Sequence, residues 1–390
     1  MIRSALAYTR FMAAALADPA ARALVMAHRK PAREGEFDQH AALRDAVGYL
    51  LRAQQEGTDK GMGSFHLVNG WGASYPETTG YVIPTLITAA DLLGWEDARK
   101  AAVQAAEWLI TIQQTDGGWQ GGRIGEGRPS IVFNTAQVVR GMLAVHEVTG
   151  RSEFLDAALR AGSWIASVQD ADGAWRGSNF MGAARVYDTY VDAPLLRLHA
   201  LTGEPVLQHA AMHNLTWVLK QQRGNGWFAN ADNTIHHNDR PITHTIAYTL
   251  DGLLECSRIT NGDRYAVAAI PAAAALADAY LNTGRIHGRY DADWQGSEHP
   301  IMTGCAQLAI VWSRVAVLTG EDRYREATGR MLRFLGAVQQ RSALGPAASR
   351  GALTGSFPLW GRYEKFAFPN WGTKYFADAL LCAEGHPPAF

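Results

Sequence analysis

The 390 residues carry 36 basic and 37 acidic side chains, a formal net charge of −1, and 47% of them are hydrophobic. Such a chain can bury a large core, which excludes wholesale disorder, and it has no basic stripe of the kind a nucleic-acid surface needs. The three cysteines, Cys256, Cys305 and Cys382, include no Cys-x-x-Cys pair, which argues against a disulfide scaffold and a cysteine-rich zinc site.

Residues 1–35 read as an N-terminal helical extension. The apolar run Phe11–Ala17 is short and is flanked by Arg10, Asp18 and Arg22, so it fits an amphipathic helix rather than a secretory signal. No run of about 20 apolar residues follows, so no membrane span is expected and the default compartment is the cytoplasm.

From residue 36 onward the chain repeats. Glycines at 94, 150, 203, 262 and 320 each end an apolar helical pattern, at intervals of about 53 to 59 residues. Six amphipathic runs (41–55, 97–114, 153–169, 205–222, 264–281 and 323–340) place apolar residues at i, i+3, i+4 and i+7 with charges between. Each is followed by a long glycine-rich loop. Then comes a second run that is apolar round its whole circumference: 77–93, 133–148, 187–201, 243–259, 303–318 and 370–383. A helix that is apolar on every side is buried on every side. Six hairpins of a charged outer helix and a buried inner helix predict an all-α fold, an (α/α)6 toroid spanning 36–390.

Three loops begin alike: Gln113-x-x-x-Gly117-x-Trp119, Gln169-x-x-x-Gly173-x-Trp175, and the shorter Gln222-to-Trp227 copy. The glutamine ends the outer helix, glycine supplies a turn with positive φ, and the tryptophan folds back over the helix end. This predicts a staple between neighbouring hairpins, with a rim aromatic for ligand stacking as the other reading.

These segments resemble the QW repeats of squalene and oxidosqualene cyclases. That resemblance implies the toroid scaffold, but the Asp-x-Asp-Asp acid of those cyclases is missing, and Asp291 and Asp293 have no second adjacent carboxylate. The Asp-Asp-x-x-Asp of ionising terpene synthases and the Asp-x-Cys of protein prenyltransferase β-subunits are missing too. The hairpin count is similar to that of six-hairpin carbohydrate enzymes: unsaturated glucuronyl hydrolases, glycosidase and lyase families, and N-acylglucosamine 2-epimerases. Segments Ser74–Tyr81, Thr303–Trp312 and Phe368–Leu381 resemble toroid proteins found with bacterial polysaccharide synthesis.

In a toroid the inner helices begin at one face, so polar groups at their starts are expected to converge there. Glu77, Tyr187, Asp188 and His244 are the candidate catalytic residues. Asp188 and Asp192, four apart, are expected to share a face, and repulsion is expected to raise one of the two pKa values, as a general acid requires. Tyr75, Asn134, Arg185, Asp192, His236, His299, Gln307, Trp371 and Lys374 are the candidate substrate-binding residues. Among these, Arg185 and Lys374 suit a sugar carboxylate. The plainer readings are helix caps for Asn134, Thr135, Thr243 and Asp188, a dipole partner for Glu77, and a core residue for His244. The adjacent His236 and His237 are a weak metal signal, and neither a metal nor a cofactor is assigned.

The leading function is a carbohydrate-active enzyme, a glycoside hydrolase, polysaccharide lyase or epimerase. Its substrate is a polysaccharide or oligosaccharide, with uronic-acid-containing chains among the candidates. A terpenoid cyclase-like enzyme and a non-catalytic glycan-binding or polysaccharide-assembly protein are the alternatives. No nucleic-acid partner is expected, and the oligomeric state is left open.

Overall fold

A computed structural model describes residues 2–32, 37–341, 343 and 345–388, and it is an (α/α)6 toroid. Helices α1 (Ile2–Ala17) and α2 (Pro19–Ala27) come first. The expected single helix is two, because Asp18 caps the second by accepting a hydrogen bond from the Ala21 amide and Pro19 takes its first position. The expected boundary at residue 35 lies outside the described residues. The outer helices are α3 (Gln39–Gln55), α5 (Glu96–Thr111), α7 (Ser152–Ser167), α9 (Pro205–Leu219), α11 (Asp263–Thr283) and α13 (Asp322–Val338). The inner helices are α4 (Pro76–Leu93), α6 (Val132–Thr149), α8 (Thr189–Thr202), α10 (Thr243–Thr260), α12 (Met302–Thr319) and α14 (Asn370–Ala383). Each inner helix packs on the next, and α14 returns to α4, which closes the ring.

The first five inner helices stop where a residue adopts a left-handed backbone: Gly94, Gly150, Gly203 and Gly320 all have positive φ. At the fourth stop Asn261 takes that conformation instead of the expected Gly262, which starts α11 in extended backbone. Asparagine tolerates the left-handed region better than other side chains do.

The glutamines close the outer ring. Gln54 donates to Ala101 O at 2.9 Å, Gln113 to Ala157 O at 2.9 Å, Gln169 to Ala210 O at 2.8 Å and Gln222 to Ala268 O at 2.6 Å. Gln339 donates to Ala42 O at 2.9 Å and so ties the last outer helix to the first. At the α11–α13 contact, Arg330 donates to Leu281 O at 3.0 Å. The tryptophans are buried staples rather than rim aromatics. Trp119 Nε1 donates to Leu109 O at 2.8 Å and Trp175 Nε1 to Ile165 O at 2.9 Å, each back onto its own outer helix. In the shorter copy Trp227 reaches forward to Tyr290 O at 3.5 Å. The intervening glycine is needed for space as well as for φ, since a Cβ on Gly117 would lie 2.7 Å from Arg160 O.

Gln339→Leu removes two donated bonds, to Ala42 O and Gly351 O, and leaves both buried acceptors without them. We expect a loss of about 2 kcal/mol, read as a lower urea midpoint. Gln114→Leu, on the more exposed face, is expected to cost much less.

Loops 56–75, 112–131, 168–188, 220–242, 284–301 and 339–369 lie at the end where the inner helices start. Each loop, or the helix start that follows it, is bonded to a neighbouring loop: Ile124 N to Ser74 O, Val132 N to Ser178 O, Val186 N to Asn230 O, Thr243 N to Gly288 O, Met302 N to Gly355 O and Leu67 N to Phe366 O. The result is a collar of loops above the inner helices. Strands Phe65–His66 and Ala367–Phe368 pair antiparallel within it, joining its first and last loops.

Helices α11 and α12 are long and apolar enough to cross a membrane by length and composition. Both are built into the double ring, and the most apolar window of α12 is 72% buried there.

Candidate functional site

Within the collar lies a cavity of about 400 Å³. Glu77 and Tyr81 enter it from α4, Phe133 and Asn134 from α6, His244, Thr245 and Tyr248 from α10, and Trp371 from α14. Tyr75 and Tyr187 enter just before α4 and α8, and the loops add Arg123, Glu126, Arg128, Phe180, Asn233, Tyr363 and Glu364. Glu77 and Tyr81 are four residues apart, as are His244 and Tyr248, so each pair projects from one helix face.

Glu77 stands in the first turn of α4 behind Pro76. It keeps partial access to solvent through the cavity and is otherwise surrounded by protein. Burial raises its pKa to about 7, against a hydrogen bond from the Tyr75 hydroxyl that favours the charged form. Asn134 Nδ2 donates to Tyr75 Oη at 3.2 Å, extending this chain to α6.

His244 Nδ1 lies 2.6 Å from Gln307 Oε1. An amide oxygen only accepts, so Nδ1 carries the proton and the neutral ring presents Nε2 as a base. Nε2 has no hydrogen-bond partner among the described residues. Burial lowers the imidazole pKa to about 4, and the Gln307 bond opposes that shift. Gly304 lets α12 come close enough to hold this pair, since a Cβ there would sit 2.8 Å from His244 N.

The cavity wall is aromatic. The His244 and Tyr248 rings are 4.5 Å apart, Phe133 meets Tyr187 and Tyr248 edge-on at 5.2 and 5.1 Å, and Trp371 Nε1 donates to Tyr363 Oη at 3.0 Å. Burial holds the Tyr75, Tyr81 and Tyr248 hydroxyls well above their ordinary pKa, so they remain protonated donors. Arg128 is paired with Glu126 at 2.6 Å. Arg123 makes no ion pair within 4.0 Å among the described residues, and its charge opposes the burial that raises Glu364.

Of the predicted residues, Glu77, Tyr187, His244, Tyr75, Asn134 and Trp371 line the cavity. Asp188 does not. It is buried against Asn179, whose Nδ2 donates to Asp188 Oδ2 at 2.7 Å. Asp192 faces the outer ring and accepts from Asn214 Nδ2 at 2.8 Å. Both carboxyls are shifted up, where one was expected to be, and for a different reason: burial is the main cause, and repulsion from Asp188 is the least of the causes acting on Asp192. Arg185 is buried and donates to Thr234 O at 3.4 Å and Asn238 Oδ1 at 3.2 Å. His236 and His299 are exposed on loops away from the cavity wall. Gln307 stands behind His244, and Lys374 points below the cavity to Asp378 at 2.6 Å. The cap readings do not hold either: Thr135 Oγ1 accepts from Trp119 N, Thr243 Oγ1 donates to His287 O, and Asp188 makes no cap bond.

Under the cavity, six ionisable groups close the ring. Arg140 Nη2 meets Glu255 Oε2 at 2.7 Å, Arg314 reaches Asp251 and Glu255 at 3.2 Å each, and Lys374 pairs with Asp378. Burial works against the charge on Glu255, yet the Arg140 and Arg314 guanidinium groups outweigh it and hold the carboxyl below its ordinary range. Burial, with the Glu255 charge adding to it, raises Asp251 to about 6 against the pull of Arg314.

No family model matches the chain. It is similar to a probable squalene–hopene cyclase of Sinorhizobium fredii, 30% identical over 154 residues, which is 37% of this chain and 21% of that protein. It is also similar to the squalene–hopene cyclase of Zymomonas mobilis, 29% identical over 153 residues, 36% of this chain and 20% of that protein. The chain therefore matches about a fifth of the length of these curated relatives. Among solved structures, an unsaturated glucuronyl hydrolase specific for heparin superposes with a TM-score of 0.70 at 15% identity, covering 89% of this chain and 97% of that one. The unsaturated glucuronyl hydrolase of Bacillus sp. GL1 gives 0.68 at 16% identity, covering 88% and 96%. The cellobiose 2-epimerase of Bacillus thermoamylovorans gives 0.69 at 14% identity, covering 87% and 96%. At these identities the likeness establishes the fold.

Proposed function

We propose that this chain is a carbohydrate-active enzyme that works by acid–base catalysis on an acidic oligosaccharide. One observation carries the reading: Glu77 and His244, from different inner helices, line one cavity in complementary states. The first is a carboxyl poised to give up a proton near neutral pH, and the second is a neutral imidazole with a free Nε2. Tyrosine hydroxyls and Asn134 suit sugar hydroxyls, and the aromatic walls suit ring faces. Arg123 takes the place that Arg185 and Lys374 were expected to fill and supplies the cation for a sugar carboxylate. The neighbouring folds, an unsaturated glucuronyl hydrolase specific for heparin and a cellobiose 2-epimerase, agree with this choice. In this reading residues 36–390 form the catalytic toroid and residues 1–35 brace it. The three free cysteines suit a reducing compartment such as the cytoplasm.

The charged groups on the wall weigh against a terpenoid cyclase, whose carbocations need an apolar, aromatic cavity. The test is product analysis by mass spectrometry with hyaluronan-derived unsaturated oligosaccharides and cello-oligosaccharides. Added water identifies a hydrolase and new unsaturated ends a lyase, while unchanged mass with altered configuration identifies an epimerase. Binding without any of these changes would make the protein a glycan binder and defeat the catalytic reading.

A further inference from the structure

We propose that Phe180 is the platform of a second sugar subsite at the cavity mouth, held in place by Asp188 through Asn179. It stacks under the pyranose ring next to the one that enters the cavity. This rests on the glycan reading above and extends it from one ring to two.

Phe180 lines the cavity and is nevertheless 43% exposed. A large aromatic face left in water at a concave mouth gains free energy when an apolar surface covers it. The C–H face of a pyranose is such a surface. Asn233 and Arg128, on the same cavity wall, suit the hydroxyls at the ring's edge.

The backbone holds this ring out deliberately. Phe180–Gly182 form a single tight turn, and Met181 sits in the left-handed region at φ 58°. A non-glycine residue persists there only where its surroundings fix it. Asn179 does the fixing. Its side-chain oxygen accepts from Phe180 N at 2.8 Å, and its amide donates to Asp188 Oδ2 at 2.7 Å and to Trp175 O at 3.4 Å. The turn is thus fastened to the Trp175 staple on one side and to the start of α8 on the other. Asp188 is fully buried, and its Oδ1 has no hydrogen-bond partner among the described residues. Its one side-chain hydrogen bond is spent on Asn179, so Asp188 is a positioning residue for Phe180.

Isothermal titration calorimetry on the full chain tests this, with glucuronic acid against the hyaluronan-derived unsaturated disaccharide and with glucose against cellobiose. In the series that binds, the disaccharide is expected to bind about tenfold tighter than the monosaccharide. Phe180→Ala removes that advantage and leaves monosaccharide binding within a few-fold of wild type, and Phe180→Trp restores it. Asp188→Ala also removes the advantage. Asp188→Asn keeps both the advantage and any turnover, because its amide oxygen still accepts from Asn179. The subsite is overturned if wild type gains nothing from chain length, if Phe180→Ala keeps the gain, or if it weakens both lengths alike. The positioning role is overturned if Asp188→Asn loses turnover while length dependence stays intact. Failure of every oligosaccharide to bind overturns the glycan reading itself, and the subsite with it.

Discussion

Glu77→Gln is expected to lower kcat by about a thousandfold while leaving oligosaccharide affinity within a few-fold of wild type. Glutamine keeps the shape and the hydrogen bond with Tyr75 but has no proton to transfer. The pH profile of kcat/KM in the wild type should be a bell. Its alkaline limb falls as pH rises through about 7, where Glu77 loses its proton, and its acid limb falls as pH drops through about 4, where His244 gains one. In Glu77→Gln the alkaline limb should vanish from the residual rate. An unchanged kcat, or an alkaline limb that survives the substitution, would remove Glu77 from the chemistry.

Arg140→Met is expected to cost about 3–5 kcal/mol of stability at neutral pH, seen as a large fall in the urea midpoint. Arg140 and Glu255 are each only 3% exposed, so removing the cation leaves a buried carboxylate with Arg314 as its remaining ion-pair partner among the described residues. The sign of the pH dependence follows. Wild-type Glu255 has its pKa held low, so its contribution is present at neutral pH and is lost toward acid. Without Arg140 the folded-state pKa rises above that of the unfolded chain. The defect is then fullest at alkaline pH and shrinks as pH falls. Denaturation at pH 5 and pH 8 separates the two cases. The double variant Arg140→Met/Glu255→Met should recover most of the loss, because two apolar side chains of similar length leave no unpaired charge between them. Recovery by the double variant would mark the cluster as a plug whose charges must match, rather than as a source of net stability.

The fate of Asp188 shows where reading the sequence stops. Spacing places Asp188 and Asp192 on one helix face, and they are on one face. Spacing does not say which way that face turns, and α8 turns it toward Asn179 and Asn214 instead of the cavity. The i, i+4 partners of Glu77 and His244 were legible by the same rule, since Tyr81 and Tyr248 follow from helix geometry once either residue is placed. Arg123, Phe180, Tyr363 and Glu364 had no comparable signal. They lie on loops, where no periodicity fixes direction. Glu364, at φ 44°, adopts a backbone that its residue type does not announce.

By itself the sequence determined the six hairpins, the order of inner and outer helices, and the staples. Each of these is local or repeated: an apolar period within one helix, a glycine where φ must be positive, a glutamine whose side chain also donates to the carbonyl four residues on, Gln113 to Gly117 O and Gln169 to Gly173 O. The tertiary structure alone decided which polar groups meet. That depends on the rotation of each inner helix about its axis and on the course of each collar loop. Packing of the whole ring sets both, and no stretch of chain encodes either one alone.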